Sequence, residues 1–184
     1  MHERRFNREI ERLRDPERIA LLEVDRVVNL ALENLAGVQS VLDVGTGSGL
    51  FAEQFAAKGL QVTGLDVNPD MLLAARQYVP SGLFQEGIAE KIPFPEGSFD
   101  LVLMGLLLHE TDDIPAALSE AHRVALKRLA ILEWPDEEQS YGPPLEHRLS
   151  YEKIVSLAKK AGFTEVKHIR LENLSLYLLD CQAL

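Results

Sequence analysis

Cysteine occurs once in 184 residues, at Cys181, so the chain can close no internal disulfide. That cysteine sits in an apolar terminal run, where an inert buried thiol is expected and a nucleophile is not. Long hydrophobic runs are also missing. No apolar stretch reaches the ~18–20 residues of a membrane span, and the first residues lack the apolar core of a secretion signal. The expectation is a cytoplasmic protein with no membrane span. Positive charge is scarce: 19 Lys and Arg stand against 29 Asp and Glu, a formal net charge of −10. That balance argues against a nucleic-acid backbone as the main partner. Arg4, Arg5, Arg8, Arg12, Arg14 and Arg18 cluster near the start, but Glu3, Glu9, Glu11, Asp15 and Glu17 interleave with them. The mixture predicts a solvated helix face.

Motifs for several chemistries are absent too. His109-Glu110 is not followed by a histidine at position 113, which is Asp113, so the zinc-peptidase pattern fails. There is no C-x-x-C pair for a structural zinc, and no Walker-type glycine loop followed by lysine. No metal site is expected. None of Tyr78, Tyr141, Tyr151 and Tyr177 begins the Tyr-x-x-x-Lys pair of a short-chain reductase. With no repeat, low-complexity segment or linker, and an ordinary 46% hydrophobic share, the length predicts one domain over 1–184. Within it, 1–37 is an N-terminal helical extension and 38–134 the core. Residues 135–184 hold a lid loop, a last helix and a terminal strand pair.

What is present begins at residues 41–49, Val-Leu-Asp-Val-Gly-Thr-Gly-Ser-Gly. An apolar run ends in an acid, then in glycines at alternate positions, and a helical pattern starts at once with Leu50, Phe51, Gln54 and Phe55. A strand turning into a helix on small residues lets a ligand approach the backbone and meet the N–H groups of the new helix. The sixth position of the dinucleotide fingerprint is Leu50, which favours another adenosine-containing ligand over NAD. A second strand over 60–67 ends in Asp66, 21 positions after Gly45, where a nucleotide-binding βαβ unit places an acid for ribose hydroxyls. A carboxylate accepts both hydrogen bonds of a vicinal diol.

The rest of the chain alternates strands and helices. Asp15-Pro16 predicts a capped helix, with Ile19, Leu22, Val27, Leu30, Ala31 and Leu35 in helical rhythm up to Gly37. The helix after the glycine loop should stop near Lys58-Gly59, and another runs from Pro69 to about Tyr78 behind an Asn68 cap. A third strand falls near 82–87, and the apolar run from Phe99 to Leu108 predicts a central strand covered on both faces. Asp112 and Asp113 cap the next helix, a fifth strand lies near 128–134, and Ser150 caps a last helix ending at Ala161-Gly162. Between these, 135–149 reads as a long loop. Residues 163–171 and 174–181 form two strands joined near Glu172-Asn173. Such alternation predicts a parallel α/β sheet with right-handed crossovers, and the closing pair requires one antiparallel strand.

Four blocks in this order carry a family resemblance: VLDVGTGSG at 41–49, VTGLDVNPDML at 62–72, GIAEKIPFPEGSFDLVLM at 87–104 and RLAILEW at 128–134. The chain resembles class I S-adenosylmethionine-dependent methyltransferases of the small UbiE-like type, with a weaker match through 142–163. The resemblance implies a Rossmann-like doubly wound sheet of strand order 3-2-1-4-5-7-6, strand 7 antiparallel, plus an N-terminal helix. It implies S-adenosyl-L-methionine as cofactor, its methionine portion along Gly45, Thr46, Gly47 and Gly49 with Asp43 near the ammonium group. The ribose would sit on Asp66 beside Val67 and Asn68, with Met71, Ala89 and Gly105 completing the pocket. Relatives usually carry Gly-Asp-Ala-Glu where this chain has Gly87-Ile88-Ala89-Glu90, so the acid for the adenine amino group is missing. Ile88 is expected to pack on the adenine, with a backbone carbonyl or Glu90 taking the amino group.

Methyl transfer from a sulfonium needs an acceptor held close, oriented and dehydrated, and a base only where the acceptor must lose a proton. His109 and Glu110, just past strand four, are the candidate catalytic residues; the alternative for His109 is a residue that only orders its loop. Glu133 and Trp134 end strand five, where they could line the acceptor pocket. Tyr141, His147 and Arg148 are candidates for a lid over it. The tetrad of DNA amino-methyltransferases is missing where Gly105-Leu106-Leu107-Leu108 stands. The reading is methyl transfer to an unidentified small-molecule acceptor by a monomer or homodimer. Its rivals are a cofactor-binding sensor without catalysis and an NAD-linked oxidoreductase.

Overall fold

The computed structural model describes residues 10–181. Glu3, Arg4, Arg5, Arg8 and Glu9 of the mixed-charge stretch lie outside those residues. Three helices come first: α1 (Ile10–Leu13), α2 (Pro16–Leu21) and α3 (Val24–Leu32). Strands and helices then alternate as β1 (Ser40–Val44), α4 (Leu50–Ala57), β2 (Gln61–Asp66), α5 (Pro69–Tyr78) and β3 (Leu83–Glu86). After β4 (Phe99–Gly105) come α6 (Ile114–Val124), β5 (Ala125–Glu133) and α7 (Tyr151–Lys160), and the strands β6 (Lys167–Arg170) and β7 (Ser175–Asp180) close the fold.

The seven strands form one sheet in the order β3-β2-β1-β4-β5-β7-β6. All neighbours are parallel except β7, which runs antiparallel to both β5 and β6. Both faces are covered, which is why β1, β4 and β5 read as nearly unbroken apolar runs. On one face Val27, Val28, Phe55 and Leu72 bury against Leu101, Leu103 and Leu132; on the other, Leu118, Ile154 and Phe163 bury against Val102, Met104 and Ile131. Strand order reverses between β1 and β4, each of which pairs with the other and then leads away to opposite edges. In open sheets of this kind the crevice above that reversal, at the carboxyl ends of the strands, receives ligands.

The caps stand where the side chains call for them. Asp15 accepts the Glu17 N–H (2.8 Å), Asn68 that of Asp70 (3.0 Å), Asp113 that of Ala116 (3.0 Å) and Ser150 that of Lys153 (3.2 Å). Three expectations need correction. The single helix from Pro16 to Gly37 is broken at Glu23, whose φ of 49° ends α2, and α3 stops at Leu32. The break is tied down from outside: the Glu23 carboxylate accepts the Glu172 N–H (2.7 Å) and pairs with Arg26 (2.6 Å). Strand four ends at Gly105, not Leu108, because Leu106 takes φ 57° and the chain tightens into a 3-10 turn over Leu108–Glu110. The strand expected over 163–171 is confined to Lys167–Arg170, since Phe163 is drawn into the core beneath α7. Among the described residues no helix is long and apolar enough to cross a membrane.

Candidate active site

A cavity of about 800 Å³ opens over the carboxyl ends of β1, β2 and β4. Its floor is the glycine loop. Gly47 has φ 52°, a conformation L side chains avoid, and a side chain there would point into open space with nothing nearer than Leu13 at 3.9 Å. Gly49 (φ 77°) serves packing instead: a Cβ would lie 3.0 Å from that of Ala75, so glycine is what lets α4 start against α5. Asp66 reaches back under the loop from the end of β2. Its Oδ2 accepts the Gly47 N–H (2.8 Å) and its Oδ1 the Asn68 N–H (2.9 Å), which fixes the carboxylate and leaves each oxygen one further lone pair. Burial raises the Asp66 pKa against the pull of the main-chain hydrogen bonds it accepts.

Of the residues singled out from sequence, Gly45, Thr46, Gly47, Asp66, Val67, Asn68, Met71, Ile88, Ala89, Gly105, His109, Glu110, Trp134 and Tyr141 lie on the cavity wall. Asp43, Gly49, Glu133, His147 and Arg148 do not. Asp43 is buried beneath the loop, where its Oδ2 accepts the Thr46 hydroxyl at 2.7 Å. Burial pushes its carboxyl up to about 7, with Thr46 opposing and the nearby Asp66 charge adding to the rise. Glu90 is on the wall, but its Oε1 accepts the N–H groups of Asp112 (3.0 Å) and Asp113 (3.4 Å).

At the far end of the cavity the 3-10 turn delivers His109. Its Nδ1 lies 2.8 Å from Glu133 Oε2, and its Nε2 lies 3.7 Å from Glu110 Oε1. The His109 side chain is 7% exposed and that of Glu133 1%. Burial pulls the His109 pKa down, but the charge and hydrogen bond of Glu133 and the charge of Glu110 outweigh it, against a smaller opposing effect of Arg148. The net shift is upward.

The loop over 135–149 is a built wall. The Arg148 guanidinium, itself buried, donates to the carbonyls of Pro135 (3.2 Å), Glu137 (2.6 Å), Tyr141 (2.8 Å) and Pro143 (3.0 Å) and to the Gln139 side chain (2.9 Å). It therefore shapes the segment that brings Tyr141, Gly142, Pro143 and Pro144 to the cavity and does not face the cavity itself. His147 is exposed on a short turn, Leu145–His147. On the opposite side, Leu13, Leu21 and Leu22 complete the wall. The solvated face expected of the early arginines fails at Arg14, whose side chain is 12% exposed. Arg14 donates to Glu53 (2.6 Å) and the Ser48 carbonyl (2.8 Å) and stacks on Tyr78, 3.3 Å from the ring centre.

The methyltransferase domain family matches residues 42–128, the segment that builds this floor. An uncharacterised methyltransferase of Synechocystis sp. is 35% identical over 188 residues, which span 90% of this chain and 88% of that protein. The chain belongs to the S-adenosylmethionine-dependent methyltransferases. A solved S-adenosylmethionine-dependent methyltransferase from Aquifex aeolicus superimposes on this one with a TM-score of 0.80 at 26% identity, covering 93% of this chain and 96% of that one. The demethylmenaquinone methyltransferase of Chlorobaculum parvum is 42% identical over 85 residues, but those are 46% of this chain and only 35% of that enzyme. The methyltransferase thus spans about a third of the length of that relative. Its cofactor is S-adenosyl-L-methionine.

Two features of this methyltransferase go beyond the reading by motif: the wall contacts of Arg14, and the partnership of Glu133 with His109 in place of the pocket lining expected of it. Arg14 is one of six early arginines, and nothing in the sequence separates it from the other five. Glu133 does carry a signal: an acid that closes a run of buried residues, Arg128 to Leu132, has to find donors or be destabilising.

Proposed function

We propose that the cavity binds S-adenosyl-L-methionine along its floor and a small-molecule acceptor at its His109 end. The cradle fits the group. Gly47 leaves open room beside the main chain, and Asp66 holds two lone pairs for a vicinal diol. Burial raises the pKa values of Asp43 and Asp66, and among the described residues neither forms an ion pair, so a ligand bearing positive charge beside them would favour their ionised forms. When bound, the cofactor supplies a methyl group on a cationic sulfur, which keeps the C–S electron pair as the methyl group departs.

The residues of the chain do the rest. Gly45, Thr46 and Gly47 shape the floor, Asp66, Val67 and Asn68 hold the ribose, and Met71, Ile88, Ala89 and Gly105 enclose the base and the thioether side. Ile88 faces the cavity and offers an apolar surface in place of a hydrogen bond worth roughly 0.5–1.5 kcal/mol. The walls formed by Leu21, Leu22, Trp134 and Tyr141 exclude water from the acceptor end. The net charge of −10 favours an acceptor other than a nucleic acid.

The observation that carries this reading is the Asp66 carboxylate, fixed under Gly47 with acceptor capacity left on both oxygens. Asp66→Ala is expected to weaken S-adenosylhomocysteine binding at least tenfold in calorimetry, with the circular dichroism of the parent protein. An unchanged affinity would remove Asp66 from the site.

A further inference from the structure

Two main-chain N–H groups and one ring nitrogen of His109 converge on the Glu133 carboxylate. Oε1 accepts the main-chain N–H of His109 (3.3 Å), while Oε2 accepts that of Trp134 (3.2 Å) and faces His109 Nδ1 at 2.8 Å. A carboxylate with main-chain donors on both oxygens is held as an acceptor, so the His109 nitrogen that faces it carries the hydrogen. In the neutral ring the lone pair then belongs to Nε2. His109 is on the cavity wall and Glu133 is not, which makes Nε2 the nitrogen presented to a ligand. Glu110 Oε1, 3.7 Å away, is too far to hold that nitrogen in a direct hydrogen bond.

We propose that His109 Nε2 takes a proton from the acceptor, that Glu133 is its positioning residue, and that the acceptor is an apolar ring compound methylated on a weakly acidic hydroxyl. This deepens the methyl-transfer reading above and rests on it. The hydroxyl proton passes to Nε2, and the oxygen keeps the bonding pair with which it takes the methyl group. The resulting imidazolium faces Glu133 and Glu110, with Arg148 as the opposing cation, and this surrounding holds the ring more basic than a free imidazole. A hydroxyl with a pKa of about 10 is a poor nucleophile until that proton moves. A thiol, at about 8.5, reaches its reactive anion with less help. An alkylammonium, at about 10.4, also has to shed a proton before it attacks. It would have to bring that charge against apolar walls, which favours the neutral hydroxyl. The apolar ring follows from the walls: Leu106, Leu107, Trp134, Tyr141, Pro143 and Pro144 line the same cavity as His109.

Two measurements test this on the full chain. Nitrogen-15 NMR of His109 in the free protein is expected to show hydrogen on Nδ1, and Glu133→Gln to lower its titration midpoint by at least one pH unit. Turnover with S-adenosylmethionine is then followed over phenols, thiols and alkyl amines. Phenols are expected to be methylated on oxygen, and His109→Gln to cut that turnover at least 100-fold while S-adenosylhomocysteine affinity stays within threefold. Should Glu133→Gln not fold, the tautomer in the parent protein and the His109→Gln result decide alone. Hydrogen on Nε2, turnover of no phenol, or less than a fivefold loss in His109→Gln would each overturn the proposal. Calorimetry with S-adenosylhomocysteine on the same samples separates the two levels. Binding alongside any of those results leaves methyl transfer standing, and absence of binding removes both.

Discussion

At Asp43 the chain puts a carboxylate where solvent does not reach it and gives it one hydroxyl, that of Thr46, as a side-chain partner. The folded pKa of about 7 lies above the ordinary value near 4. Between those two pH values the native state binds the proton more tightly than the unfolded chain, so stability is lost as pH rises from about 4 to 7 and is lowest above 7. Three pH units correspond to roughly 4 kcal/mol at most. Asp43→Asn keeps an acceptor for Thr46 and cannot ionise. Its melting temperature is expected to exceed that of the parent at pH 8 and to match it near pH 4, in scanning calorimetry at both. At this scale the glycine loop and Asp66 were legible, because each depends on the main chain: a positive φ at Gly47 and two N–H groups of neighbouring loops. The His109–Glu133 contact was not. Its partners are 24 residues apart, and they meet across a left-handed Leu106 and the 3-10 turn that follows it, neither of which the sequence announces.

Elements depart from expectation where a distant contact overrides local preference. Leu22-Glu23-Val24 contains no glycine or proline, so nothing local announces a break between α2 and α3; the Glu172 N–H on the far turn does that work. Capped helices were legible for the opposite reason, since Asn68, Asp113 and Ser150 act within three residues of themselves. The 135–149 loop is held by one guanidinium, and lysine cannot replace it: an ammonium has three donors for five acceptors. Arg148→Met is expected to cost about 3 kcal/mol, from several lost hydrogen bonds of roughly 0.5–1.5 kcal/mol each. It should open 136–144 to limited proteolysis and leave S-adenosylhomocysteine affinity within threefold, as those residues lie at the end of the cavity proposed for the acceptor. Arg14→Ala acts on the other wall, releasing α1 from Glu53 and the Ser48 carbonyl. A faster dissociation of S-adenosylhomocysteine, by about fivefold or more in stopped flow, is expected from the loosened wall over the glycine loop.

For the whole molecule, alternating strands and helices announce a parallel sheet buried on both faces and closed by one antiparallel strand, whereas the order of the strands followed from the family resemblance alone. The same order assembles the site, bringing Asp43 and Asp66 together from adjacent strands β1 and β2, beside the point of reversal. With Asp66 on the cavity wall and Asp43 buried just beneath it, each held more basic by burial, binding of a cationic ligand is expected to release a proton. The affinity for S-adenosylmethionine is expected to be level above pH 7 and to fall by about tenfold per unit below it, for one proton taken up. Calorimetry at pH 6 and pH 8 checks this, and the slope should vanish in Asp43→Asn. The Arg148 hub has a consequence at this scale as well. Four of its five acceptors are peptide oxygens, which every amino acid supplies alike. Side chains such as Tyr141 are therefore free to be exchanged while the course of the chain stays put, so new tastes in acceptor can evolve one residue at a time without the wall being rebuilt.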